Sequence, residues 1–163
     1  MLTHRDFLQV VASERKPTFV STGMCDLEQL DQVVSLFKTA GCPITLMHTV
    51  STYPCDESDL NLACIHTLRD RYGVPVGYSG HEVSPIPSIL AVGLGAVAVE
   101  RHITLGRSMY GSDQAASLEP RGLEILVKGV RAYEVALGDG QKTFGKAEKE
   151  VAKKLRYWEA APK

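Results

Sequence analysis

Two histidines offer this chain its clearest route to chemistry. His81 closes Ser79-Gly80-His81 and His102 closes Glu100-Arg101-His102, 21 residues later. If each follows a strand of one parallel sheet, neighbouring strands about 4.8 Å apart carry both imidazoles to the same rim. Imidazole nitrogen suits borderline divalent metals, and two ligands with positions left open suit a Lewis acid that also holds a substrate oxygen. On spacing alone, two histidines satisfied inside the structure compete with that reading. His48 also ends an apolar run and is a third candidate ligand, whereas His66 falls mid-helix and His4 in a first helix, as ordinary packing or surface residues.

Other groups cluster near the same places. Glu100 lies two residues before His102 and so shares its strand face, where it could polarise a ligand or bind a sugar hydroxyl. Arg101 points the other way, which argues against a pair with Glu100. Ser21, Ser51 and Ser79 each stand at a strand end, where hydroxyls and backbone N–H groups bind phosphate oxygens; capping the next helix explains each equally well. The small-residue run Gly111-Ser112-Asp113-Gln114-Ala115-Ala116-Ser117 could fold over such a site and present Asp113.

Elements to position these residues are legible. Apolar runs at Thr18–Ser21, Ile44–His48, Val74–Tyr78 and Ala96–Arg101 read as strands. None alternates cleanly with polar residues, which fits a parallel sheet covered on both faces. Helices are expected near 7–12, from the cap Asp26 through Leu27, Leu30, Val33, Val34 and Phe37 to the stop at Gly41, at 58–72 before Gly73, at 86–94, and at 120–137. The order is α followed by four βα units. No Gly-x-Gly-x-x-Gly follows a strand, which removes the usual mark of a dinucleotide fold. Polar residues instead crowd the C-terminal end of every strand, where a (β/α)8 barrel keeps its active site. The expected fold class is therefore α/β, four parallel βα units forming half of a (β/α)8 TIM barrel. Residues 1–140 form it, and a polar helical or linker tail occupies 141–163.

Composition excludes little but is consistent. Eighteen Lys and Arg balance 19 Asp and Glu, so the net charge of −1 gives no electrostatic reason to expect nucleic acid or an acidic membrane. No apolar run approaches the roughly 20 residues of a membrane span, and no signal-peptide pattern opens the chain, so a cytoplasmic protein is expected. Cys25, Cys42, Cys55 and Cys64 have no C-x-x-C spacing and read as reduced thiols.

Taken in order, Ser21-Thr22-Gly23-Met24, Tyr53-Pro54, Gly77-Tyr78-Ser79-Gly80-His81-Glu82, Glu100-Arg101-His102-Ile103-Thr104 and Gly111-Ser112-Asp113 resemble the sialic acid synthase (N-acetylneuraminate synthase) family from about Lys16 to Gly140. The resemblance implies a (β/α)8 barrel followed by an antifreeze-like domain. It implies condensation of phosphoenolpyruvate with N-acetylmannosamine, its phosphate or a related amino sugar. By position, His81 and His102 match metal ligands, usually for Mn2+, with Mg2+ or Co2+ as alternatives. Ser21, Ser51 and Ser79 match phosphoenolpyruvate-contacting positions, although Ser51 stands where some members have Asn. Tyr53 and Asp113 match positions facing the amino sugar, and Glu100, in the Glu-Arg-His motif, is the catalytic candidate. Gly80 stands where some members have Asp. In the implied reaction C3 of phosphoenolpyruvate attacks the metal-polarised sugar aldehyde, water adds at C2 and phosphate leaves.

Counterparts of the family's first four strands, with their phosphate-holding lysines and an acidic base, are expected to be absent, as is the antifreeze-like domain. The leading expectation is a synthase fragment, weak or inactive alone, that forms a homo-oligomer or pairs with an N-terminal half. A half-barrel binding or assembly module that has lost catalysis is the second reading. A different metal-dependent aldolase or isomerase is the third, and it explains the strand ends without the motif series.

Overall fold

A computed structural model describes residues 2–160 of the chain. It divides into two compact units, Met1–Tyr133 and Glu134–Lys163. The first runs α1 (Arg5–Ser13), β1 (Thr18–Ser21), α2 (Leu27–Ala40), β2 (Ile44–Thr49), α3 (Cys64–Tyr72), β3 (Val76–Gly80), α4 (Ile86–Gly93), β4 (Val99–Arg101) and the start of α5 (Pro120–Leu137). All four strands are parallel, in the order β1-β2-β3-β4. That is half the strand complement of a (β/α)8 barrel, with strands and helices alternating as the sequence predicts.

Local chemistry sets the element ends. Asp26 accepts from the Gln29 N–H at 2.8 Å while Gln29 Oε1 accepts from the Asp26 N–H, so a capping box starts α2. Gly41, at φ 68°, ends it in the left-handed conformation. The helix expected over 58–72 is shorter. Asp56 takes both the N–H and the hydroxyl of Ser58 into a single 3-10 turn at Glu57–Asp59, Asn61 turns left-handed at φ 44°, and α3 starts only at Cys64. β3 begins at Val76 because Pro75 has no N–H to give the ladder; its carbonyl still accepts from Leu46.

Strand alternation sorts the sheet into two faces. Val20, Ile44, Leu46, Val76 and Tyr78 are buried in one core with Val33, Val34 and Phe37 of α2, Ile65 and Leu68 of α3, and Ala91 of α4. Each large apolar side chain so buried contributes about 1.5–3 kcal/mol. The opposite, inner face carries Phe19, Ser21, Thr45, Met47, Thr49, Gly77, Ser79 and Glu100, of which Phe19 is 64% exposed. Met47 fills the space beside Gly77, where an added Cβ would lie 2.5 Å from its sulfur.

The second unit contains the end of α5 and α6 (Lys146–Leu155), whose residues are nearly all exposed. Lys149 and Arg156 flank the Phe144 ring, 5.9 and 5.5 Å from its centroid. The four cysteines are unpaired thiols. Among the described residues no helix is long and apolar enough to cross a membrane.

Candidate active site

The C-terminal ends of β3 and β4 put Ser79 opposite Glu100 in register, and two residues further each chain reaches a histidine on the same face. The Ser79 hydroxyl donates to Glu100 Oε1 at 2.8 Å, joining the two strands just below the rim. At the rim the imidazole centroids of His81 and His102 are 5.4 Å apart, with the rings at 70°. The expected juxtaposition is therefore present.

A third ring completes it. Tyr53, from the loop after β2, lies over His81 at 4.0 Å between centroids and meets His102 edge-on at 5.3 Å. Its hydroxyl is 2.7 Å from His81 Nε2 and 3.3 Å from His102 Nε2, so both ring nitrogens aim at one point. The Cys55 N–H donates to the His81 carbonyl at 3.0 Å and ties that loop to the rim.

Hydrogen bonding assigns the nitrogens. His81 Nδ1 lies 2.6 Å from the Val50 carbonyl, which can only accept, so Nδ1 carries the proton and Nε2 presents a lone pair. Such a carbonyl partner is the usual orienting device for a metal-binding imidazole. His102 Nδ1 faces Asp113 Oδ2 at 3.8 Å, beyond hydrogen-bond length, on the opposite side of the ring from Nε2. Asp113 is held in turn: Ser117 donates to its carbonyl and Ser112 to its carboxylate. The loop then returns to the rim, where the Leu118 N–H donates to the His102 carbonyl at 2.8 Å. Burial pushes the Tyr53 phenol above its ordinary value, and the carboxylates of Asp113 and Glu100 push it further, so the hydroxyl keeps its proton.

The other expected residues are less tightly gathered. Ser21 is exposed at the end of β1 and Ser51 half-buried after β2. These two turns press together so closely that a Cβ on Gly23 would run into Ser51 Oγ and Thr49 Cγ2. His48 is not with the pair. Alternation turns it to the helix side, where Nε2 bonds the Leu60 carbonyl at 2.8 Å and the ring tilts against Tyr78. Half-buried His66 bonds the Leu94 carbonyl, and His4, exposed and just outside the helix it was expected to lie in, caps α1; neither approaches the rim.

Two features escape sequence reasoning. Thr49 Oγ1, on the inner face opposite Ser79, is buried without a hydrogen-bond partner among the described residues. Glu82 and Arg101 form a fully buried ion pair at 2.8 Å, where sequence showed only that Arg101 turns away from Glu100. The available signal was charge inside otherwise apolar or small-residue runs.

Two converging imidazoles, one with its tautomer fixed by a carbonyl, fit two ligand positions of a borderline divalent ion. Among the described residues no group of three or more His, Cys, Asp or Glu comes together to hold one, so water, substrate or another polypeptide would complete the set.

The NeuB family model matches residues 1–142. The N,N'-diacetyllegionaminic acid synthase of Legionella pneumophila is 37% identical over 146 residues, 86% of this chain and 41% of that protein. The human N-acetylneuraminate-9-phosphate synthase is 37% identical over 150 residues, 91% of this chain and 42% of its own length. This chain thus spans less than half the length of these relatives. Among solved structures, the N-acetylneuraminic acid (sialic acid) synthetase of Leptospira borgpetersenii, in complex with citrate, superposes with a TM-score of 0.83 at 32% identity, over 97% of this chain and 54% of that one. A truncated 3-deoxy-D-arabino-heptulosonate 7-phosphate synthase of Thermotoga maritima, at 18% identity and a TM-score of 0.70, shares the fold over 84% of this chain and 56% of that one.

Proposed function

The chain belongs to the NeuB family, whose related members are sialic, legionaminic and pseudaminic acid synthases, and on that premise we propose that it is the metal-binding half of a nonulosonic acid synthase barrel. The reaction is condensation of phosphoenolpyruvate with N-acetylmannosamine or a related amino sugar in the cytoplasm, with release of phosphate. The observation that carries the reading is the meeting of His81 Nε2 and His102 Nε2 at one point on the rim.

His81 and His102 would hold the divalent ion, Mn2+ first and Mg2+ or Co2+ next, which when bound supplies Lewis-acid polarisation of a sugar carbonyl. Tyr53 and Asp113 stand on either side of the histidines and orient the amino sugar through a neutral hydroxyl and a carboxylate. Glu100, held by Ser79, contacts a sugar hydroxyl, and Ser21, Ser51 and Ser79 line the strand ends toward the phosphate of phosphoenolpyruvate. The exposed Phe19 ring and the positions of β1 and β4 at the two edges of the described sheet favour pairing with a complementary half-barrel or a second copy.

The test is phosphate release from phosphoenolpyruvate and N-acetylmannosamine with Mn2+, for the chain alone and with a separately supplied polypeptide carrying the first four βα units. Turnover is expected only with the complement and is lost in His81→Ala and His102→Ala. A chain that neither binds Mn2+ nor supports phosphate release in either setting overturns the proposal and leaves a non-catalytic half-barrel module.

A further inference from the structure

Each rim histidine has a charged residue as its chain neighbour. Glu82 follows His81 and Arg101 precedes His102, and both turn to the helix side of the sheet, away from the imidazoles. Their side chains are 0% and 2% exposed, whereas the pairs Lys16–Glu14, Arg69–Asp70, Arg71–Asp31, Arg121–Glu124 and Lys128–Glu124 join side chains at least 42% exposed. Arg101 Nη1 donates to Glu82 Oε1 at 2.8 Å, to the Ser88 hydroxyl at 2.9 Å and to the Ser84 carbonyl at 3.0 Å, and Nη2 donates to the Glu82 carbonyl. Glu82 Oε2 accepts from the Tyr78 hydroxyl at 2.8 Å. One guanidinium on β4 thus holds the whole turn from Glu82 to the start of α4.

Such a pair does little for stability by itself, because desolvating both ions offsets most of their attraction and apolar replacements often fold as well. What it does impose is geometry: a planar fork fixes the distance and direction between two backbones. Gly80 is shaped to the same end, since a Cβ there would lie 2.6 Å from Glu82 Oε2 and 2.8 Å from the Tyr78 ring. We propose that Glu82 and Arg101 are positioning residues, a buried clamp across β3 and β4 that holds the His81 and His102 imidazoles at the separation a divalent ion requires. The inference rests on the metal reading above for its purpose, and on the clamp geometry alone for its structural claim.

The experiment uses the full chain and the double variant Glu82→Leu/Arg101→Met, which removes both charges together and so avoids stranding either, with Arg101→Lys as the conservative variant. Circular dichroism and thermal unfolding establish that each is folded. Without metal, NMR then reads the His81 tautomer and the nuclear Overhauser contacts of the Tyr53 ring with both imidazoles, and Co2+ titration reads affinity and the visible spectrum. A folded double variant is expected to lose the His102 to Tyr53 contact and at least tenfold in Co2+ affinity, and Arg101→Lys, which cannot span the turn, to behave similarly. Unchanged ring contacts and unchanged affinity in the folded variants overturn the clamp. If the wild type binds no Co2+ yet the variants still lose the ring contacts, the clamp stands and the metal reading falls; if double-variant unfolding is severe, Arg101→Lys decides by the same two readouts.

Discussion

Phe19 and Val20 are neighbours on β1, yet one is 64% exposed and the other 4%. That difference belongs to the β1 edge, since on β2 and β3 the inner-face residues Met47, Thr49 and Ser79 are buried as well. The helix side is packed by α2, α3 and α4 and holds the core; the inner side carries Ser21, Ser79 and Glu100 and rises to the histidine rim. One face is packed by this chain's own helices, and the other carries the candidate site, with Phe19 left exposed at the β1 edge. The helix-packed core and the candidate site lie on opposite sides of the same strands, so substitutions on the two sides should separate stability from binding.

The largest expected effect is on the closed side. Leu46 is fully buried at the centre of the sheet, and Leu46→Ala should cost about 2–5 kcal/mol by removing apolar burial and leaving a cavity. Denaturant unfolding measures it, and a loss below about 1 kcal/mol would mean that the helix face is not the stabilising one. Next comes Tyr78, whose hydroxyl donates to the buried Glu82 carboxylate. Tyr78→Phe should cost about 1.5–3 kcal/mol, as for a hydrogen bond to a charged group. Burial, then the Glu82 charge, holds this phenol well above its ordinary value. The neutral form is therefore favoured in the folded state, and the stability it contributes is full below about pH 10 and lost as pH rises toward the folded value. Unfolding curves between pH 8 and 11 should show a shallower alkaline decline in Tyr78→Phe than in the wild type. An intermediate effect, about 1 kcal/mol, is expected for Asp26→Ala, which opens the capping box of α2 without touching either sheet face.

Much of this division was legible beforehand. The strands, the helix from Asp26 to Gly41 and the pairing of His81 with His102 follow from apolar runs, caps and the repeat of βα units, all of them local signals. The side assignment of His48 was not, because a run buried on both faces carries no alternation to say which residues point to the helices. Nor was the contact of Tyr53 with both imidazoles visible, since the resemblance implied only a position facing an amino sugar and the residue arrives from a different loop. The Glu82–Arg101 pair is hidden for the same reason: 19 residues separate partners that only strand register brings together.

The smallest expected effect is at Phe19, and it tests the comparison most sharply. With its ring largely exposed, Phe19→Ser should change the stability of the isolated chain by no more than about 0.5 kcal/mol, against the several kcal/mol lost at Leu46. Under the proposed pairing, a polypeptide carrying four further βα units buries that ring, and the same substitution should then weaken association by roughly tenfold or more, since a fully buried Phe contributes about 1.5–3 kcal/mol. Calorimetric titration of the complementary half into wild type and Phe19→Ser reads the difference directly. Equal affinities would place the partner elsewhere on the chain, and a large loss of stability in the isolated variant would show that a second copy already covers the inner face.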